Sequence, residues 1–205
     1  MSTTWLLRFG AACGVVLGLS TAVPGLVEAF TGETAATSFV VGVGVAFGAP
    51  ALTALYLRQH AESGRFGAVA YAVNLIGLGL FAGVAFALNL VLYYVDEAVA
   101  DEVLAGPTRF AVLGSALVFV IGTILFSVSM LLARVLPPLP AAVYGAAFTL
   151  LAVLAPLPDS PLTSAVHVLA GGSLIWLSAA LRTPRAVPVE GRSSRMAGAA
   201  PPVRG

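Results

Sequence analysis

Long apolar segments alternate with short polar connections along most of the chain. Six segments contain no Asp, Glu, Lys or Arg, and they cover residues 9–27, 35–57, 66–95, 110–133, 139–157 and 162–181. Each is close to, or longer than, the roughly 20 residues that a helix needs to cross a hydrocarbon core of about 30 Å. Only helices and closed barrels satisfy their backbone hydrogen bonds in a bilayer, and barrel strands alternate apolar and polar residues. These continuously apolar segments therefore predict six transmembrane helices.

Composition supports lipid as the solvent. Hydrophobic residues make up 59% of the 205 residues and charged residues 9%, whereas a soluble domain is about half apolar and a quarter charged. We therefore predict an all-α polytopic membrane helix bundle over residues 1–182. Residues 183–205 are rich in Pro, Gly, Ser and Arg without an apolar period, which predicts a disordered cytoplasmic tail.

The placement of arginine predicts the orientation of the bundle. Cytoplasmic loops of membrane proteins hold an excess of Lys and Arg. With both termini inside, nine of the ten arginines lie on the cytoplasmic side, and the outer side holds Arg109 with seven acidic residues. The expected location is the plasma membrane, with several spans and both termini in the cytoplasm.

Four carboxylates lie together in the third connection, where the chain is expected to be outside the cell. They are Asp96, Glu97, Asp101 and Glu102. Val95, Val99 and Val103 recur every four residues through this stretch, which predicts a short amphipathic helix on the outer surface with its acids facing water. The alternative is a divalent-cation site, but calcium takes six to eight oxygen ligands and no glycine-shaped loop gathers them here.

Small residues recur at helical spacing within the predicted spans. The first span carries Gly10, Gly14, Gly18, Thr21 and Gly25 on one face, and Gly79 and Gly83 form a GxxxG pair in the third. Such faces let helix backbones approach closely in lipid. We select Gly14, Gly18, Gly79 and Gly83 as candidate packing positions, either within one bundle or between two copies of the chain.

Three polar side chains lie at membrane depth and are the candidate site residues. Asn74 and Asn89 are in the third span, about 22 Å apart along a helix, and His167 is in the sixth. Polar residues at this depth are functional candidates, but hydrogen bonds between helices are an equally simple use for them. They are expected either to join helices or to line a polar cavity.

Reactive groups are few, which narrows the classes of function. The chain has one cysteine, Cys13, so an internal disulfide is impossible. His60 and His167 are expected near opposite membrane faces, too far apart to ligate one haem, and no cluster suits zinc. No catalytic residue, metal or cofactor is expected, and the arginines are too dispersed to predict nucleic-acid binding.

The second half of the chain resembles uncharacterised six-helix bacterial integral membrane proteins. The resemblance rests on LFSVSMLLARVLPPLPAAVYGAAFTLLAVLAPLP, in which a short basic turn with a Val-Leu-Pro run separates two helices, and on the final GGSLIWLSAALR. It implies a six-helix topology and no particular chemistry.

Two functional hypotheses follow from the sequence. The first is a membrane protein without catalytic machinery, acting as an assembly or regulatory subunit, with the lipid bilayer and a second copy or another membrane protein as partners. The second is a small carrier or channel for a neutral or apolar solute, with Asn74, Asn89 and His167 in one cavity. An intramembrane enzyme would require His167 to lie beside an outer acid such as Asp101 or Asp159.

Overall fold

All regular secondary structure is helical in the computed structural model, which describes residues 3–155 and 160–183. The helices are α1 (Thr3–Thr31), α2 (Ala35–Gly44), α3 (Gly48–Leu90), α4 (Glu97–Ala105), α5 (Pro107–Ala133), α6 (Pro138–Leu154) and α7 (Pro161–Ala180). Two 3₁₀ turns, Val45–Phe47 and Leu92–Tyr94, flank α3. Within the described ranges the all-α prediction is confirmed.

The long helix α3 is divided in two by a glycine. Gly64 has φ 55° and ψ −147°, a conformation that glycine adopts readily and other residues do not. The first half of α3 (48–63) and the second half (65–90) run back along each other. The contacts between them show this: Thr53 Oγ1 lies 3.0 Å from Tyr71 Oη, and the rings of Tyr56 and Tyr71 stack. The chain therefore reverses direction at Gly64 within what is formally one helix.

Among the described residues, four helical segments are long and apolar enough to cross a membrane. They are Thr3–Thr31, Ala35–Tyr94, Pro107–Ala133 and Pro161–Ala180, and α6 is apolar but shorter, with 17 residues. The 60-residue segment Ala35–Tyr94 includes the reversal at Gly64. These segments indicate a protein associated with a membrane.

Local chemistry explains where several helices begin. Thr34 caps α2 and Ser160 caps α7, each in a reciprocal pair with the threonine three residues later. Pro50 lacks a backbone N–H, so the ordinary hydrogen bond to the residue four positions earlier cannot form there. The 3₁₀ turn between α2 and α3 lies just before this proline.

Helix neighbours pack antiparallel, and glycines mark their closest contacts. Helix α1 packs on α7, where the face of Gly14 meets Ser178 and that of Gly25 meets His167. The second half of α3 packs on α5, where Gly77 meets the backbone of Phe119. The predicted small-residue face of α1 is confirmed, because all five of its residues are buried.

Large apolar side chains cover the outside of the bundle. Leu26, Ile76, Leu117, Leu132 and Leu169 are each more than half exposed. The interior, by contrast, includes many small and hydroxyl-bearing side chains, such as Ser38, Thr123 and Ser129. A continuous apolar exterior of this kind requires a partner or lipid to cover it.

Some boundaries differ from the sequence prediction. The first half of α3 continues to Ser63, beyond the predicted end at residue 57, so that Gln59 lies inside the helix. Helix α3 ends at Leu90 instead of residue 95, since the backbone leaves helical geometry at Val91. Residues 156 and 157 of the predicted fifth span, residues 158 and 159 of the connection after it, and residues 184–205 of the predicted tail lie outside the described residues.

The predicted short helix in the acidic connection is present as α4. Asp96 precedes it, and all four carboxylate residues of the cluster are exposed. Val99 and Val103 are exposed as well. The helix and the exposure of its acids match the prediction, whereas its position on a membrane surface stays a prediction.

We expect Gly77→Leu to destabilise the bundle and Gly79→Leu to leave it nearly unchanged. A Cβ at residue 77 would lie 2.6 Å from Phe119 Cα, but at residue 79 it would meet no atom of the described chain within 4 Å. Overpacking of this kind costs about 1–3 kcal/mol, and an exposed substitution changes stability by within about 0.5 kcal/mol. Denaturant titration of both variants in detergent measures the difference, and equal losses would contradict the α3–α5 contact.

Candidate functional site

A buried polar network joins three helices inside the bundle. Asn74 of α3 is 0% exposed, and its Nδ2 donates to Tyr144 Oη of α6 at 3.1 Å. Thr123 of α5, also 0% exposed, donates its hydroxyl to Asn74 Oδ1 at 3.2 Å. The amide of Asn74 therefore bonds both neighbouring helices at once, which fixes their relative positions.

Small residues make room for this network. A Cβ on Gly122 would collide with the backbone of Asn74, and a Cβ on Gly77 would collide with that of Phe119. The second half of α3 and α5 can therefore approach closely, and the short side chain of Thr123 reaches the amide across the gap. The sequence positions Gly77 and Gly122 thus place Asn74 within hydrogen-bond reach of its partners.

An aromatic cluster packs around the same region. Phe119 stacks on Phe81 with ring centroids 4.5 Å apart and meets Phe148 edge-on at 6.4 Å. Tyr144 lies 5.0 Å from Phe148 between ring centroids. These contacts hold the Tyr144 ring in place, so that its hydroxyl stays beside Asn74.

A small, partly open cavity lies beside the network. Its volume is about 20 Å³, and its lining includes Leu17, Gly48, Leu55, Phe119 and Tyr144. A void of this size holds about one water, and only where polar partners surround it. The lining is almost wholly apolar, so this cavity suits packing better than solute binding.

The structure does not bring the other two candidate polar residues to Asn74. Asn89 lies 15 residues further along α3 and donates to the Ala85 carbonyl of its own helix at 2.8 Å. His167 bonds the Thr163 carbonyl of α7 through Nδ1 at 2.8 Å, and its Cβ lies against Gly25 of α1. The three residues thus make separate local contacts instead of sharing one cavity.

The four candidate packing glycines fall into two groups. Gly14 contacts Ser178 and Gly18 contacts Ile175, so both pack between α1 and α7 as expected. Gly79 and Gly83 are exposed, and a Cβ at either would meet nothing within 4 Å in the described chain. Packing within the bundle is not found at these two positions, which lie on the outer face of α3, and packing between two copies of the chain stays a prediction.

Sequence reasoning missed three polar residues that the structure places inside. Thr123 and Tyr144 complete the Asn74 network, and Gln59 is 0% exposed in the first half of α3. Thr123 and Tyr144 could have been found from the sequence, because each places a hydroxyl within an otherwise apolar span. Gln59 was missed because the predicted span ended two residues before it.

The described residues offer no group of three or more His, Cys, Asp or Glu side chains that could hold a metal ion. His167 hydrogen-bonds a backbone carbonyl, no bond to Asp101 is found among the described residues, and Asp159 lies outside them. Comparisons of the chain with protein-family models, with curated proteins and with solved structures gave no match.

We expect Tyr144→Phe to destabilise the protein by about 0.6–2 kcal/mol, the range for hydrogen bonds between membrane helices. The variant removes the acceptor of the Asn74 amide and leaves the ring contacts with Phe148 in place. A double-mutant cycle with Asn74→Ala measures the coupling, and Tyr94→Phe, at an exposed tyrosine, is the matched control. If the double variant loses as much unfolding free energy as the two single variants together, the hydrogen bond between Asn74 and Tyr144 is contradicted.

Proposed function

We propose that the protein is a six-span plasma-membrane protein with both termini in the cytoplasm, and that it acts without catalysis as an assembly or regulatory subunit. The observation that carries the proposal is the Asn74 network: the buried amide is bonded to two neighbouring helices. A polar group used in this way stabilises a framework and is not presented to a substrate.

The reversal at Gly64 supports six spans. If the two halves of α3 cross separately, the first together with α2, the chain passes through the bilayer six times and both termini lie on one side. Helix α6, with 17 residues, is about 26 Å long, which is close to the thickness of the hydrocarbon core. The apolar exterior on every long helix is consistent with this arrangement.

The charge distribution supports the orientation. Arg58 and Arg65 flank the reversal at Gly64, and Arg134 ends α5 in a left-handed conformation. Arg182 follows α7. These ends share one side of an antiparallel bundle, and the exposed acids of α4 lie on the other. The excess of arginine favours the cytoplasm for the first side.

A subunit role is favoured by the outer surface of α3. Gly79 and Gly83 leave a shallow apolar face on which another helix could lie closely. The carrier hypothesis draws no support from the separate hydrogen bonds of Asn74, Asn89 and His167.

Cysteine labelling in intact cells tests the topology. In a Cys13→Ala background, we expect Asp101→Cys to react with a membrane-impermeant maleimide from outside, because that position is exposed in α4. Ala61→Cys, exposed near the reversal, should react only after the cells are permeabilised. The opposite pattern would overturn the orientation.

Co-purification tests the subunit role. We expect the protein solubilised in mild detergent to carry a second copy or another membrane protein in a fixed ratio, detected by size-exclusion chromatography and mass spectrometry. Gly79→Leu together with Gly83→Leu should release that partner, whereas Gly172→Leu, at another glycine with open space around it, should retain it. A monodisperse monomer without a partner would count against the proposal.

A further inference from the structure

Gln59 is the most unusual polar group in the interior. Its side chain is 0% exposed, yet neither Oε1 nor Nε2 has a hydrogen-bond partner within the described part of the chain. Leaving a buried polar atom without a partner costs about 1–3 kcal/mol. A carboxamide that carries this penalty on both atoms is poised to bond something that is not part of the described chain.

Two serine hydroxyls in the same part of the bundle are also buried without a partner. Ser63 lies one turn after Gln59 on the same face of α3, and Ser129 comes from α5. Gly67 brings them together, because a Cβ there would lie 3.0 Å from Ser129 Oγ and even closer to the Ser63 side chain. We define Gln59, Ser63 and Ser129 as the polar end cluster.

The serines of this cluster differ from several other hydroxyl residues in the helices, although Thr149 of α6 and Ser178 of α7 are also buried without a partner in the described chain. Ser20, Thr21 and Ser115 each donate to the carbonyl four residues earlier, which is the usual local bond of such residues in a helix. Ser63 and Ser129 make no such bond in the described chain. Their hydroxyls therefore stay available to donate to a bound group.

An arginine supplies positive charge at the same level. Arg58 immediately precedes Gln59, and its Nη2 donates to the Thr183 carbonyl at 3.0 Å, which anchors the guanidinium at the end of α7. Its Nε is buried without a partner in the described residues. Arg58, the amide of Gln59 and the two serine hydroxyls add several donors at this end of the bundle, and a guanidinium with such donors favours an oxyanion.

We propose that Arg58 and the polar end cluster form a binding site for an oxyanion of the phosphate class. The phosphate can belong to the headgroup of an anionic membrane lipid or be free inorganic phosphate, because both present the same acceptor oxygens. The site is at the arginine-rich end of the bundle and is separate from the Asn74 network.

Thermal unfolding of the purified full-length protein, followed by tryptophan fluorescence in a neutral detergent, tests the site. The probes are phosphatidylglycerol, diacylglycerol with the same acyl chains, and inorganic phosphate. We expect phosphatidylglycerol or phosphate to raise the unfolding midpoint by roughly 4 °C or more at saturation. A rise with phosphate alone identifies a free anion, and a rise with phosphatidylglycerol but not phosphate or diacylglycerol identifies a lipid headgroup. If neither phosphate source raises the midpoint, or if diacylglycerol raises it equally, the proposal is wrong.

Two variants distinguish a binding site from a purely structural role, because they change the unfolding midpoint without ligand and its rise with ligand in different ways. Without a ligand, Gln59→Leu should unfold at the same or a higher temperature, because it removes two buried polar atoms that have no partner. The same variant should lose most of the ligand-dependent rise in the unfolding midpoint, because its affinity for the phosphate ligand falls by at least about tenfold. A lower midpoint without ligand together with an unchanged rise would overturn the proposal.

Ser129→Ala provides the second, milder variant, and Ser115→Ala is its matched control on the same helix. Ser115 is buried like Ser129 but bonds its own backbone. We expect the ligand-dependent rise in the unfolding midpoint to be smaller in Ser129→Ala and unchanged in Ser115→Ala. Equal rises in the two variants would contradict a role for the polar end cluster. This readout does not depend on whether the protein captures a partner subunit.

Discussion

Close approach of helix backbones at glycines is the constraint on which the rest of this bundle depends. Gly77 and Gly122 allow α3 and α5 to meet at Phe119 and Asn74, and Gly18 meets Gly171 between α1 and α7. In lipid, apolar side chains gain little from leaving the solvent, so helices associate through tight packing and hydrogen bonds. Small residues therefore occupy the closest helix contacts, whereas large side chains such as Phe119, Phe126 and Met130 fill the rest of the interior.

Backbone proximity also determines what the polar residues can do. Where α3 and α5 are closest, the Asn74 amide reaches Thr123 and, across to α6, Tyr144, and its bonds lie within the bundle. Where α3 turns at Gly64, Gln59 and two serines are buried without such bonds. The same helix therefore carries a polar group that joins helices and another that is available to a ligand.

The sequence was enough to predict the helical class, the small-residue face of α1 and the short helix α4, because hydropathy and spacing act locally. It could not predict which side of α3 faces its neighbours, so it left open whether Gly79 and Gly83 pack within the bundle or between two copies, and the structure places them on the outer face. Tyr144 and Thr123 were missed as partners of Asn74 because pairing across helices depends on tertiary register. Gln59 was missed because the predicted span ends at residue 57, whereas the first half of α3 continues to Ser63.

Lipid around the outer surface is the central claim, and membrane flotation tests it most directly. Membranes from cells that express the protein are washed at alkaline pH, which removes peripheral proteins, and are then floated through a density gradient. The account predicts that the protein floats with the lipid and is released only by detergent. Recovery of the folded protein in the lipid-free soluble fraction would contradict it.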